Sequence, residues 1–200
     1  MTDGSPPSVV YAVVKLGGGL LRCSGAFERV TRALAAFGGG RPFLVVPGGG
    51  PFADAVREQC GHVQMDADTA HWMAILGMDQ YAHAITCRIR RAALVERERD
   101  IPVALAASRI PVLAPYQWLR AVDPLPHSWD VTSDSIAAWL AGALGAARLI
   151  LLKPVAGDPM KLADPYFPRA LPPGVQCQVV APDDLAALDR ALGDGGSDQG

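Results

Sequence analysis

Two apolar runs that each end in three glycines constrain the fold of this chain more than any other feature. The first run ends in Gly17-Gly18-Gly19 and the second in Gly48-Gly49-Gly50. A buried parallel strand is a continuous apolar run, and glycines after its carboxyl end let the backbone approach a ligand and direct N–H groups toward an anion. The two triplets therefore predict parallel strands whose ends form a phosphate site.

The composition favours one α/β domain and argues against several partners. The chain has 200 residues, half of them apolar, which is enough for one sizeable core. A net charge of -2, with no basic run interleaved with aromatic residues, argues against nucleic acid. No apolar stretch has the length of a membrane span, and residues 1–7 lack a signal-peptide pattern, so we expect a cytoplasmic protein without a membrane partner. Scattered cysteines predict free thiols.

Strand-like and helical patterns alternate along residues 10–192, which predicts one domain with a parallel sheet. The predicted strands are 10–16, 43–46, 148–152 and 176–180. The predicted helices are 25–37, ended by Gly38-Gly39-Gly40, then 51–60, 66–95, 134–145 and a last one opened by Pro182. Two short apolar runs, 102–106 and 111–114, and an irregular segment with Pro115, Pro124 and Pro126 lie between them. Residues 153–175 are predicted to form a loop, and residues 1–9 and 193–200 flexible ends.

Three ordered signatures resemble those of the amino acid kinase superfamily. They are Lys15–Gly18 (KLGG), Pro47–Gly50 (PGGG) and Thr132–Ala138 (TSDSIAA), the last followed by a strand pattern at 148–152. The resemblance covers about residues 10–192. It implies a single three-layer α/β/α sandwich with a mainly parallel central sheet, an ATP-dependent phosphotransferase that uses Mg²⁺, and a homo-oligomer with helix 66–95 as candidate interface.

A narrower resemblance concerns the acceptor. Leu125–Trp129 (LPHSW), running into Thr132–Ser135, and Ala70–Ala74 (AHWMA) resemble the (aminomethyl)furanmethyl phosphate kinases of methanofuran-type cofactor synthesis. This implies transfer of the γ-phosphoryl of ATP to the phosphate of that furan. A kinase for another phosphate or carboxylate acceptor, such as a nucleoside monophosphate or an amino acid, stays open.

Phosphoryl transfer needs mainly positioning and charge neutralisation. Lys15, at the carboxyl end of the first strand, can bind the transferring phosphoryl oxygens while the N–H groups of Gly17–Gly19 surround them. A strand-end lysine beside a turn is the alternative. Gly48–Gly50 precede a helix, whose first N–H groups can hold the acceptor's anionic group. A tight turn with positive φ is the alternative there.

The resemblance implies that Asp134 orients the catalytic lysines. It is not predicted to be a general base, since a phosphate monoester is already ionised near neutral pH. A helix N-cap is the alternative role. Lys153 and Lys161 are the candidates for the second phosphate-binding lysine, and Gly157 for a further nucleotide contact.

The resemblance places acceptor recognition at His127, Ser128 and Trp129, followed by Thr132 and Ser133. A furan can stack on Trp129, and its aminomethyl group can meet a carboxylate such as Asp123 or Asp130. The alternatives are core packing for the tryptophan and backbone capping for the histidine.

Histidines on the long predicted helix suggest no metal centre. His71 and His83 are twelve residues apart, too far to share a metal ion on one helix, so packing or an oligomer interface is predicted for them. No metal site made of protein histidines is expected.

The chain departs from the superfamily pattern after the strand at 148–152. Superfamily members usually carry two acidic positions there, and this chain has Pro154 and Ala156. A non-catalytic binding subunit that has lost productive nucleotide binding is therefore a second hypothesis from a different functional class.

Overall fold

The computed structural model describes residues 10–37 and 41–193. The prediction of a flexible start at 1–9 and of a helix end at Gly38–Gly40 falls outside these residues, as does the predicted flexible end 193–200 except for Gly193, which is the last residue of a helix. None of the helices in the described ranges combines the length and apolar character needed to cross a membrane.

Six strands form one parallel sheet in the described part of the chain. They are β1 (Ala12–Leu16), β2 (Phe43–Pro47), β3 (Ala92–Val95), β4 (Ile110–Leu113), β5 (Arg148–Leu152) and β6 (Gln176–Val180). Their order is β3-β4-β2-β1-β5-β6, and every neighbouring pair is parallel. Strand β1 is interior, with Lys15 opposite Val46 on one side and Leu151 on the other. All strands therefore end at one edge, where both glycine triplets lie.

Helices cover both faces of the sheet. They are α1 (Ala26–Phe37), α2 (Gly50–Cys60), α3 (Ala67–Arg88), α4 (Asp100–Ala106), α5 (Tyr116–Val122), α6 (Ser133–Ala143), the short α7 (Pro159–Leu162) and α8 (Phe167–Ala170), and α9 (Leu185–Gly193). A 3-10 helix, Gly18–Arg22, follows β1.

Alternate residues of β1 enter two separate cores. Val13 packs in one apolar cluster with Leu140 of α6, whereas Val14 packs in the other with Leu34 of α1. All four side chains are fully buried, and complete burial of such a side chain is worth about 1.5–3 kcal/mol. The three-layer α/β/α sandwich with a parallel sheet is thus confirmed.

The predicted helix 66–95 is wrong beyond Arg88. Its last residues form β3, an edge strand, and Arg91 makes the turn with a left-handed backbone (φ 69°). No glycine or proline marks this break, so apolar periodicity runs through it. The run 102–106 lies in α4 and the run 111–114 largely forms β4. Helix α5 lies inside the segment predicted irregular, and the predicted loop 153–175 contains α7 and α8.

Candidate active site

Three charged side chains meet at the carboxyl edge of the sheet. The Lys15 ammonium lies 2.8 Å from Asp134 Oδ1, and the Lys153 ammonium lies 2.7 Å from Asp134 Oδ2. The two lysines meet because β1 and β5 are paired in register, Leu16 opposite Leu152, and Lys153 directly follows β5. Lys153 also donates to the Leu162 carbonyl at 2.9 Å. We name Lys15, Asp134 and Lys153 the lysine cluster.

Asp134 is held as a buried carboxylate. It lies in the first turn of α6, where the helix dipole favours negative charge, and it is 4% exposed. Burial alone would raise its pKa, but the Lys15 and Lys153 ammonium groups outweigh burial and the net shift is downward. The carboxylate therefore stays ionised at neutral pH, while the two lysines leave an excess of one positive charge.

Asp134 is not the N-cap of α6, so the alternative role predicted for it is wrong. Thr132 occupies the N-cap position, and the capping acceptor is Asp164, from the segment between α7 and α8. Its Oδ2 accepts from the Thr132 N–H at 3.0 Å, the Thr132 hydroxyl at 2.7 Å and the Ser135 N–H at 3.0 Å, and its Oδ1 accepts from the Ser135 hydroxyl. Asp134 is thereby free to bind the lysines.

Sequence reasoning missed Asp164. It lies in a segment predicted as loop, 29 residues after Ser135, and no local pattern links the two. The only signal was indirect, since the Thr-Ser-Asp-Ser start of α6 has no Glu or Gln at the third helical position to complete a capping box.

The two glycine triplets pack directly against each other. A Cβ on Gly18 would lie 2.1 Å from the Cα of Gly50, and Gly50 has a φ of +55°. Gly17 donates its N–H to the Leu152 carbonyl at 2.8 Å, and Gly48 donates to the Leu16 carbonyl at 2.7 Å. These two amides are engaged inside the protein, so the predicted anion contacts fall to the neighbouring glycines Gly18, Gly19, Gly49 and Gly50.

A cleft of about 270 Å³ opens over these glycines. Its lining includes Gly18, Gly19, Gly49 and Gly50, and the cleft runs from there across α3 to Trp129 and the start of α6. Thr132 and Ser133, which are predicted to bind the substrate, also line this cleft. The next residue is Asp134 of the lysine cluster, and a Cβ on Gly17 would lie 3.8 Å from the Lys15 ammonium. The lysine cluster therefore lies beneath the glycine end of the cleft.

Two arginines line the cleft, and only Arg57 adds net positive charge there, because Asp54 lines it as well. Arg22 is paired with Asp54, and the guanidinium of Arg57 lies 4.6 Å from the centre of the Trp129 ring. Trp129 is 37% exposed and lines the cleft, so it is not a core residue. Its ring and the Arg57 guanidinium form an aromatic and cationic part of the cleft wall.

A second charged group surrounds His127. Its Nδ1 lies 2.6 Å from Asp68 Oδ1, its Nε2 lies 2.8 Å from Asp123 Oδ1, and its ring stacks on His71 with ring centres 4.1 Å apart. We name Asp68, His71, Asp123 and His127 the histidine cluster. His71 lines the cleft, whereas His127 lies behind it. The predicted backbone-capping alternative for His127 is wrong, because its partners are carboxylates.

The remaining predicted residues are more peripheral. The Ser128 hydroxyl accepts the Asp130 N–H at 3.1 Å and borders a small pocket beside His71. Gly157 packs on Leu162 and is exposed. Lys161 is exposed on α7 and lies outside the lysine cluster, so Lys153 is the lysine that the structure joins to Lys15.

Comparison with known proteins identifies a family and a relative of known activity. The sequence pattern of the amino acid kinase family matches residues 11–157. A [5-(aminomethyl)furan-3-yl]methyl phosphate kinase of Methanocaldococcus jannaschii is 26% identical over 145 residues, which are 72% of this chain and 66% of that enzyme. The matched part is thus slightly under two thirds of the archaeal enzyme's length.

Solved structures share the fold. Uridylate kinase from Archaeoglobus fulgidus superposes with a TM-score of 0.67 at 15% identity, over 92% of this chain and 97% of that one. UMP kinase from Ureaplasma parvum superposes with a TM-score of 0.53 at 14% identity, over 71% of this chain and 68% of that one. With a family match across most of its length and the fold of these kinases, the chain belongs to the amino acid kinase family.

Proposed function

We propose that this protein transfers the γ-phosphoryl group of ATP to the phosphate of a small acceptor, with an (aminomethyl)furanmethyl phosphate as the favoured acceptor. The observation that carries the proposal is the lysine cluster, in which two ammonium groups share one carboxylate beneath a cleft floored by glycines. Family membership and the archaeal relative support it.

The lysine cluster suits a phosphoryl group by charge. Lys15 and Lys153 donate toward oxygens on which negative charge spreads in the transition state, and Asp134 keeps both ammonium groups at one fixed place. Asp134 is a positioning residue here, because both of its oxygens are committed to lysines. Gly18 and Gly19, in the first turn of the 3-10 helix, have N–H groups without helical acceptors that can face the same group.

The ammonium groups of the lysine cluster and the N–H groups of Gly18 and Gly19 are donors that suit the phosphate oxygens of ATP. Bound Mg-ATP supplies the transferable phosphoryl group and a cation that neutralises the phosphate oxygens. The lysine cluster has no spare carboxylate for Mg²⁺, so we expect the nucleotide's phosphates to hold the ion.

The acceptor end of the cleft suits a flat ring that carries a phosphate. Gly49 and Gly50 lie at the start of α2, where helix N–H groups and the dipole favour an anion. Arg57 and Trp129 form the wall against which a ring can stack. His71 belongs to the same lining, so it is available to contact a ring substituent.

The test is release of ADP from Mg-ATP with [5-(aminomethyl)furan-3-yl]methyl phosphate, run beside uridine monophosphate, an amino acid and a control without acceptor. We expect release that depends on the furan. Release with another acceptor alone would keep the kinase and discard the furan.

A non-catalytic subunit is the competing function, favoured by Pro154 and Ala156 after β5. Calorimetry of Mg-ATP binding separates the two. No binding and no ADP release would replace the kinase by the binding subunit, whereas binding with furan-dependent turnover would exclude it.

A further inference from the structure

We propose that His71, His127 and Asp123 bind a divalent transition-metal ion such as Zn²⁺, with Asp68 orienting His127. This site does not depend on the identity of the phosphoryl acceptor. It also differs from any Mg²⁺ that accompanies a nucleotide, because two of its three donors are imidazoles and it shares no residue with the lysine cluster. Imidazole donors favour transition metals, whereas Mg²⁺ favours oxygen ligands.

The ligand atoms are already close enough. One nitrogen of each histidine and one oxygen of Asp123 all lie within 4.8 Å of one another. A point between them is then within about 2.8 Å of each, whereas zinc bonds to nitrogen and oxygen measure about 2.0–2.2 Å. Shifts of about 1 Å in Asp123 and His127, together with a rotation of the His71 ring, would complete the bonds. All three ligands lie at the protein surface or half-buried, so an ion can enter.

His127 is held as a metal-bound histidine would be. Metal-binding histidines usually donate their second N–H to a carboxylate, which fixes the ring. Here Nδ1 lies 2.6 Å from Asp68 Oδ1, which leaves Nε2 aimed at Asp123 Oδ1, 2.8 Å away. A metal ion would take the place of the hydrogen that bridges Nε2 and Asp123. Replacement of one proton by a divalent ion adds one positive charge to the histidine cluster. This added charge offsets the excess negative charge of its two carboxylates.

Asp123 and His71 complete the site from two different elements. Asp123 ends α5 in a left-handed conformation (φ 41°, ψ 59°), which is strained for a residue with a side chain and brings it within reach of His127. His71 lies in α3 and now stacks on the His127 ring. Binding requires His71 to rotate about its Cβ–Cγ bond, out of the stack, so that one nitrogen points to the ion. The ion would tie α3 to the segment that carries Trp129.

The first experiment uses the full-length chain without a histidine tag, stripped with EDTA. Titration with Co²⁺ followed by visible absorption, and with Zn²⁺ by calorimetry, is expected to give one site per chain, with Zn²⁺ displacing Co²⁺ and Mg²⁺ failing to do so. We expect His71→Gln and His127→Gln each to weaken binding by at least about 100-fold, and Asp68→Asn by about 10- to 100-fold.

The matched control is His83→Gln, on the same helix but outside the cluster, which should bind as the wild type does. Binding that survives in the His71→Gln/His127→Gln double variant would place the ion elsewhere and overturn the proposal, as would absence of binding to the wild type. Because a variant can misfold, a crystal of the unmodified chain soaked in Zn²⁺ gives an independent answer. An anomalous peak between the three ligands supports the site, and a soaked crystal without one overturns it.

Discussion

The lysine cluster and the histidine cluster are mirror images in charge. In the first, two cations share one carboxylate, and all three side chains are largely buried, at 5%, 6% and 15% exposed. In the second, two carboxylates share one imidazole, and Asp68 and Asp123 are 78% and 52% exposed. The lysine cluster therefore carries excess positive charge on buried side chains. The histidine cluster carries excess negative charge on exposed carboxylates.

The difference shows that burial determines how strongly the charges in a cluster interact and how easily they exchange partners. Charges attract far more strongly in the interior than at the surface, and removal of one buried partner leaves the others uncompensated. The side chains of the lysine cluster are therefore held at fixed positions, which is the property that the proposed phosphoryl transfer needs. In the histidine cluster the two carboxylates are exposed to solvent, so they can exchange partners with protons or cations, although the His127 ring between them is largely buried.

The largest effect is expected from Asp134→Asn. This change leaves two buried ammonium groups side by side without a counter-charge, so we expect the free energy of unfolding to fall by about 3–5 kcal/mol. Urea unfolding measures it. Asp130→Asn, an exposed carboxylate nearby, should cost less than about 0.5 kcal/mol. Equal losses in the two variants would show that burial does not make the lysine cluster special.

Lys15→Met should keep the fold and lose the reaction. Asp134 retains Lys153 as a partner, so stability survives, but the phosphoryl group loses one of its two ammonium donors. We expect the rate of ADP release to fall about 100- to 1000-fold, the usual cost of losing one charge-stabilising donor. Lys161→Met, outside the cluster, should stay within about threefold of the wild type. Near-normal turnover in Lys15→Met would remove the lysine cluster from the mechanism.

Asp164→Asn tests how the lysine cluster is supported. The substitution weakens four hydrogen bonds at the start of α6, and we expect a loss of about 1–2 kcal/mol in the free energy of unfolding. The matched control is Asp158→Asn, which weakens a single hydrogen bond to Met160 at the start of the short α7 and should cost less than about 0.5 kcal/mol. A smaller effect at Asp164 than at Asp158 would contradict this support.

The smallest effects concern pH in the metal-free histidine cluster. Partial burial lowers the pKa of His127, but its hydrogen bonds to Asp123 and Asp68 outweigh burial and the net shift is upward. Its contribution to stability is therefore complete below its unfolded pKa of 6.5 and is lost as the pH rises through the raised value. Burial and the neighbouring His127 lower the pKa of His71 to about 4, so its contribution is lost as the pH falls from 6.5 toward 4.

Thermal unfolding in EDTA, between about pH 4 and pH 9, tests these signs. His127→Gln should remove the fall in midpoint on the alkaline side, and His71→Gln should flatten the fall on the acid side. His83→Gln should change neither limb. An alkaline limb that persists without His127 would mean that another group carries it.

Sequence patterns predicted the positions of those candidate site residues that lie at the ends of strands. Lys15, the glycine triplets and Lys153 lie at the carboxyl edge because apolar strand patterns fix where each strand stops. Asp134 was placed correctly at the start of a helix, and the resemblance gave it lysine partners, but the choice of Lys153 over Lys161 required the pairing of β1 with β5. The family and fold predicted from these signatures are confirmed.

Sequence reasoning failed where contacts join distant irregular segments. His71 was compared with His83 on its own helix, whereas its neighbour is His127 from another segment. The break before β3 was hidden because Arg91, rather than glycine, adopts the left-handed turn. Such contacts depend on tertiary packing, for which local patterns carry no signal. Homo-oligomer formation through α3 stays a prediction.

The interior position of β1 also sets the order in which the site can be made. Lys15 lies opposite Leu151, 136 residues later in the chain, so this pairing contributes to a high contact order and slow folding. During synthesis the N-terminal half emerges with its lysine and both glycine triplets but without β5 or Lys153. A ribosome-bound chain that stops before residue 148 can hold neither the second lysine nor one flank of β1, so the lysine cluster forms late and all at once.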